Sequence, residues 1–281
     1  PVSSSVEQEI NNFSQLLPTI TVPIPVNRGL GIALREGLLN CTHQFVARVD
    51  SDDRSIHDRF SLQYEFINSN PSVSVVGGAL REWHGSAESK TSAVRTCPIL
   101  DENERPLIRW RNPLNHPTVL FNKAHVLDVG NYKEAPYFED YHLWARLILN
   151  GHWITSLPNI LVETDVNPDF YYRRGGLSYL KHEHKFALQM RWLGYFTLLD
   201  YFVFLLSRTG VRLLPNASRG YFYRKVLQWR LCGPGSARTE LALSGCPELA
   251  LFLSAFWRPS RWHLGASRCP PRTPKVPKVM P

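Results

Sequence analysis

Asp50, Asp52 and Asp53 follow directly on the apolar run Phe45-Val46-Ala47-Arg48-Val49. A strand that ends in closely spaced carboxylates sets hard oxygen donors at the carboxyl edge of a sheet, where open α/β sheets bind their ligands. Such oxygens suit Mg²⁺ or Mn²⁺, which bridge readily to substrate phosphates. In extended chain Asp50 and Asp52 point to the same side and can share one cation. The same residues equally suit a turn that caps the helix after it. A second pair, Glu139-Asp140, opens a predicted helix, where the helix dipole favours negative charge. Tyr137 and Phe138 before it, and Tyr141 and Trp144 after it, make an aromatic setting. A carboxylate there is pushed toward general-base duty by desolvation, and the rings can serve as floors for sugar rings. His116, in Asn115-His116-Pro117-Thr118, reads as a site residue or as a structural hydrogen-bonder. Arg173-Arg174-Gly175-Gly176 reads as a diphosphate grip or as a solvated loop.

These groups need elements to hold them. Val6, Ile10, Phe13 and Leu17 recur at helical spacing and predict a helix over 3–17; residues 19–26 read as a strand and 29–41 as a second helix. A strand at 44–49, a helix at 56–69 and a β run at 73–79 follow. Residues 84–106 read as loop or irregular strand. Farther on come a short strand at 118–121, a helix at 138–150, strands at 152–155 and 159–163, and an aromatic helical stretch over 176–209. Strands alternating with helices predict an α/β fold with a mostly parallel sheet.

The net charge of +8 resembles a nucleic-acid signal until it is located. Residues 231–281 hold seven Lys/Arg against two Glu, which leaves +3 for the first 230 residues, too little for a basic binding face. That segment also holds eight of the 21 prolines and has no sustained period, so it reads as a disordered or frame-shifted tail. The five cysteines show no metal or disulfide spacing. With no apolar leader, the expected compartment is the reducing cytoplasm. The aromatic run flanked by Arg191 and Arg208 is too short to span a bilayer, and reads either as a buried packing helix or as peripheral contact with the inner membrane face through 191–208.

Five stretches, in order, carry a family resemblance: Asn27-Arg28-Gly29-Leu30-Gly31, Ala47-Arg48-Val49-Asp50-Ser51-Asp52-Asp53, Asn115-His116-Pro117-Thr118-Val119, Tyr137-Phe138-Glu139-Asp140-Tyr141-His142-Leu143-Trp144, and Tyr172-Arg173-Arg174-Gly175-Gly176. Together they resemble the family 2 glycosyltransferases of GT-A fold, in particular the bacterial members that build surface polysaccharides. The resemblance implies a three-layer α/β sandwich over 1–175 and a helical extension over 176–230, ahead of the 231–281 tail. It implies Mn²⁺ or Mg²⁺ held by Asp50 and Asp52, with Asp53 and Arg174 near the donor's diphosphate. Asp140 falls on the catalytic base, and Glu139, His116 and Trp144 fall on the acceptor side. The implied donor is a nucleotide-diphosphate sugar, the implied acceptor a saccharide or lipid-linked saccharide, and the reaction an inverting one. The family's opening strand-helix-strand precedes the point where this chain begins, which implies a chain truncated at its N-terminus. Two other readings stand beside this one. An inactive remnant of such an enzyme is the first. A metal-dependent nucleotidyltransferase is the second, and it needs a phosphate-cradling Gly-rich loop that the sequence lacks.

Overall fold

The run Val73-Ser74-Val75-Val76 is β-rich and buried on both sides, and it begins the strand on which the rest of the sheet is assembled. The computed structural model describes residues 3–85, 90–102, 109, 111–166 and 176–213, with side chains through 209. All of these fall in the unit Pro1–Leu231. Arg174 and the 231–281 tail lie outside the described residues.

The strands are β1 (Phe45–Ala47), β2 (Asp53–Ser55), β3 (Val73–His84), β4 (Thr91–Arg95), β5 (Leu120–Asn122) and β6 (Trp153–Asp165). They run in the order β1-β5-β3-β6-β2, and β4 pairs with the later half of β3. The fold class is α/β, as expected, but the sheet is mixed rather than mostly parallel. Only β3 and β6 run parallel; β1 with β5, β2 with β6, β3 with β4 and β3 with β5 are antiparallel. Alternation along the chain does not fix which strands pair, or in which direction. Here β1 and β2 find partners from the far end of the chain.

The helices are α1 (Ser4–Leu16), α2 (Leu30–Asn40), α3 (Arg59–Ser69), α4 (Lys123–Asp128), α5 (Glu139–Leu149), α6 (Gly176–Trp192) and α7 (Leu198–Leu213). Strand alternation sends neighbouring residues to opposite faces of the sheet. Val75, Phe121 and Ile154 join a large core with Leu38 of α2, Leu143, Trp144 and Leu147 of α5, and Phe186 and Phe204 of α6 and α7. Val76, Leu120 and Trp153 face the other way, onto Phe66 and Ile67 of α3. Helix α1 buries none of its residues.

Several expectations need correction. Residues 19–26 form no strand: Pro18, Pro23 and Pro25 strip amide donors from the segment, which has no ladder partner. The two strands expected at 152–163 are one, β6, with a register slip where Pro158 bulges out between Ser156 and Ile160. Strand β4 lies in the stretch read as loop or irregular strand, and it needs only the exposed edge of β3 to pair with. Strand β2 and helix α4, of three and six residues, are too short to leave a periodic signal.

Candidate active site

The acidic run is a turn, not extended chain. The Asp53 amide donates to the Asp50 carbonyl at 3.2 Å, and Asp53 then enters β2 opposite Thr164 of β6. The expectation that extended chain puts Asp50 and Asp52 on one side therefore does not apply; a tight turn gathers the three carboxylates instead. Their closeness shows in Asp53. Burial raises its carboxyl above the usual carboxylate range, a hydrogen bond to Thr164 opposes that, and the Asp50 and Asp52 charges push it up further. Asp52 is exposed and Asp53 half-buried.

Two arginines hold the turn from beneath. Arg48, on the last extended residues before the turn, reaches Asp50 Oδ1 through Nη2 at 2.6 Å and is 9% exposed. Arg59 of α3 is fully buried. It donates to the Arg48 carbonyl (2.8 Å), to Ser55 Oγ (2.9 Å) and to Gln63 Oε1 (3.1 Å). Burial lowers its guanidinium to about 10, still charged at neutral pH. Gln63 completes the tie by donating to the carbonyls of Val76 and Thr118, both at 2.8 Å. The turn is thus anchored to β3, to β6 and to the segment that carries His116.

That segment is a short 3₁₀ helix, His116–Thr118. Asn115 donates to the carbonyls of Gly78 and Arg95, and Thr118 Oγ1 accepts from the Gly78 amide at 3.0 Å. His116 itself sits between rings, with Tyr132 at 5.7 Å and Trp144 edge-on at 6.0 Å. Its Nε2 shares a hydrogen bond with the Tyr132 hydroxyl at 3.0 Å. Arg146 of α5 places Tyr132 by donating to the Val129 and Asn131 carbonyls just before it. Burial, helped by the Arg48 charge, holds the His116 imidazole well below the ordinary histidine range.

Asp140 lies at the second position of α5. Asn112 Nδ2 donates to its Oδ2 at 2.6 Å, and the Tyr141 amide donates to its Oδ1 at 2.7 Å. His116 Nδ1 stands 4.0 Å from Oδ2. That distance would allow an ion pair, but a neutral imidazole makes none, so the contact is a polar wall rather than a charge pair. Arg48 connects the two carboxylate groups: it bonds Asp50 directly, and its charge acts on both His116 and Tyr132 beside Asp140.

The three residues expected on the acceptor side, Glu139, His116 and Trp144, are all buried, Trp144 completely. Glu139 faces α2, where Gly31 leaves room for it; a Cβ on Gly31 would meet the Lys133 carbonyl at 2.7 Å and Glu139 Cβ at 3.1 Å. These side chains form the wall behind Asp140, and the apolar packing of α5 keeps them off the surface. Sequence reasoning did not single out Arg48, Asn112 or Tyr132. Arg48 was findable, since strand alternation puts 48 and 50 on one side. Asn112 and Tyr132 reach the site through loop geometry that no spacing announces.

No group of three His, Cys, Asp or Glu among the described residues is arranged to hold a metal ion. Asp50 and Asp52 nonetheless offer hard oxygen donors beside Asp53, whose carboxyl burial raises and their charges raise further. That donor set fits Mg²⁺ or Mn²⁺, which take one or two protein carboxylates and complete their shell with phosphate oxygens and water. An apolar groove along α1, lined by Val6, Ile10 and Phe13, reaches the turn at Ser51.

A family model described as glycosyl transferase family 2 matches residues 5–128, a span that includes the acidic turn and His116 but ends before Asp140. The chain is 34% identical over 228 residues to the amylovoran biosynthesis glycosyltransferase AmsE of Erwinia amylovora, covering 80% of this chain and 84% of that protein. It is 36% identical over 228 residues to an uncharacterized glycosyltransferase of Haemophilus influenzae, covering 81% and 84%. It is 30% identical over 230 residues to the UDP-Gal:alpha-D-GlcNAc-diphosphoundecaprenol beta-1,3-galactosyltransferase of Escherichia coli, covering 81% and 82%. The solved structure of the mannosyltransferase PcManGT from Pyrobaculum calidifontis covers 89% of this chain and 68% of its own, with 14% identity and a TM-score of 0.49.

Proposed function

Because the chain belongs to glycosyl transferase family 2, we propose that it moves a sugar from a nucleotide-diphosphate donor onto a saccharide acceptor in bacterial surface-polysaccharide synthesis. The observation that carries this reading is the placement of Asp140. It is fixed by Asn112 and the Tyr141 amide, backed by a neutral His116, and joined to the acidic turn through Arg48.

In the proposed reaction the acceptor hydroxyl oxygen attacks the anomeric carbon from the side opposite the diphosphate. The new C–O bond forms as the old one breaks, the electron pair leaves with the nucleoside diphosphate, and the configuration inverts. Asp140 takes the hydroxyl proton. Its carboxylate is presented at a fixed angle because one oxygen is held by Asn112 and the other by backbone. Neutral His116 adds no positive charge beside Asp140, which a protonated imidazole would. Asp50 and Asp52 would hold a divalent cation, which when bound supplies neutralising charge for the departing diphosphate. Asp53, half-buried against Thr164, locks the turn that presents them, and Arg174 is assigned to the diphosphate by the family pattern.

The relative named for a diphosphoundecaprenol-linked acceptor supports a lipid-linked acceptor here. No described helix is long and apolar enough to cross a membrane. The outward face of α7 instead exposes Leu199, Phe202 and Leu206, with Trp192, Lys185 and Arg191 exposed on α6. An apolar stripe with basic neighbours suits an anionic lipid surface.

The test is a transfer assay with UDP-, GDP- and dTDP-sugars, Mn²⁺ and a GlcNAc-diphosphate-lipid acceptor. Transfer by the wild type is expected. Asp140→Asn should bind donor nearly as the wild type does in calorimetry, while turnover falls by roughly 10²–10⁴-fold. Unchanged turnover removes Asp140 from the base role.

A further inference from the structure

Of the five Phe, Tyr and Trp side chains between Tyr132 and Trp144, four are buried, and Tyr137 alone stands 53% exposed. Its backbone is equally distinctive. Tyr137 has φ +69°, the left-handed region that glycine and asparagine tolerate and that bulky residues avoid. This conformation turns the chain so that consecutive rings part. Phe138 goes inward and stacks on Phe186 of α6 at 4.4 Å and 14°, while Tyr137 goes outward. The outward ring is braced from behind by Tyr179 at 4.8 Å and His182 edge-on at 5.5 Å, both from α6. Tyr179 is itself buried, so the brace is part of the core.

Core packing explains Phe138 but not Tyr137. A glycine at 137 would make the same turn without the unfavourable backbone, and nothing apolar would then face water. A bulky residue held in a rarely populated conformation points to a function for its side chain. The position narrows that function. Tyr137 lies three positions before Asp140, so the two Cα atoms lie no more than about 11 Å apart. A ligand lying on the ring is within reach of the base. An aromatic face is electron-rich and its perimeter positive, so it favours the C–H face of a pyranose over a charged or flat polar group.

We infer that Tyr137 is the platform on which the terminal sugar ring of the acceptor stacks, its angle set by Tyr179 and His182. The inference rests on the reading that this chain transfers sugars, and extends it to a side chain that decides acceptor choice. The stacked ring brings its reactive hydroxyl over the N-terminus of α5, where Asp140 waits.

Two measurements on the full chain decide it. With the transfer assay above, Tyr137→Ala should raise the acceptor KM by roughly tenfold and leave the donor KM in place, and Tyr137→Phe should keep the acceptor KM within about twofold of wild type. Tyr137→Gly should lose acceptor affinity as Ala does yet melt higher than the Ala variant, since it relieves the backbone. An acceptor KM unmoved in Tyr137→Ala, or a donor KM that rises with it, overturns the platform. The second measurement needs no turnover: saturation-transfer NMR with the methyl glycosides of N-acetylglucosamine and galactose. One-sided saturation of ring C–H protons should appear with wild type and vanish with Tyr137→Ala. Equal saturation in both overturns the inference. A wild type that binds these sugars but transfers none overturns the family-based reading while leaving the platform standing.

Discussion

Asp140 and His116 lie side by side in different surroundings. Asp140 has two donors aimed at its oxygens, and His116 has rings around it and a guanidinium charge nearby. His142 behaves similarly: burial first, then the Arg146 and Lys133 charges, bring its imidazole down to about 4. The consequence for stability has a definite sign. Below about pH 6.5 the unfolded chain protonates these histidines, and the folded chain does not. The unfolded state then binds more protons, so stability falls as pH drops from about 6.5 toward 4. Melting temperatures across that window should decline, and His142→Asn should make the decline shallower. A melting temperature independent of pH between 4 and 6.5 would show that these imidazoles are not held neutral.

The elements explain which parts of the site could be read from sequence. The 3.6-residue spacing of Leu143, Trp144, Leu147 and Ile148 announces α5 and so places Glu139 and Asp140 at its start, where they are found. The acidic turn is legible because a β-rich run stops there. Its partners are not: β2 has three residues, and its pairing with β6 spans more than a hundred positions. The same helical spacing sends Trp144 inward, where it is found fully buried, while its acceptor-side role came only from the family resemblance. Close packing of α2 on the chain before α5 yields a second test. Gly31→Ala would press on the Lys133 carbonyl and Glu139 Cβ. Overpacking of this kind costs about 1–3 kcal/mol and displaces the start of α5. Urea denaturation should register the loss, and turnover should fall more than donor binding does. An Ala variant with wild-type stability and turnover would mean the contact yields freely.

At the scale of the whole molecule, the charge of the chain is spread so that its first 230 residues are nearly balanced, while one helix pair bares its apolar side. Phe202→Ser with Leu206→Ser should abolish cosedimentation with vesicles containing anionic phospholipid, and transfer to a water-soluble acceptor glycoside should persist. Equal sedimentation of the double variant would locate membrane contact elsewhere. The sheet carries a further consequence, one of timing. Strand β3 cannot meet β5 or β6 until those segments have left the ribosome, and the turn bearing Asp50 has no brace at Asp53 until Thr164 arrives. Contacts so distant along the chain form slowly and leave sticky intermediates waiting. During synthesis, then, Asp50, Asp52 and Asp140 are all made before the strand that braces the acidic turn, and the nascent chain between those moments is the one most open to wrong partners.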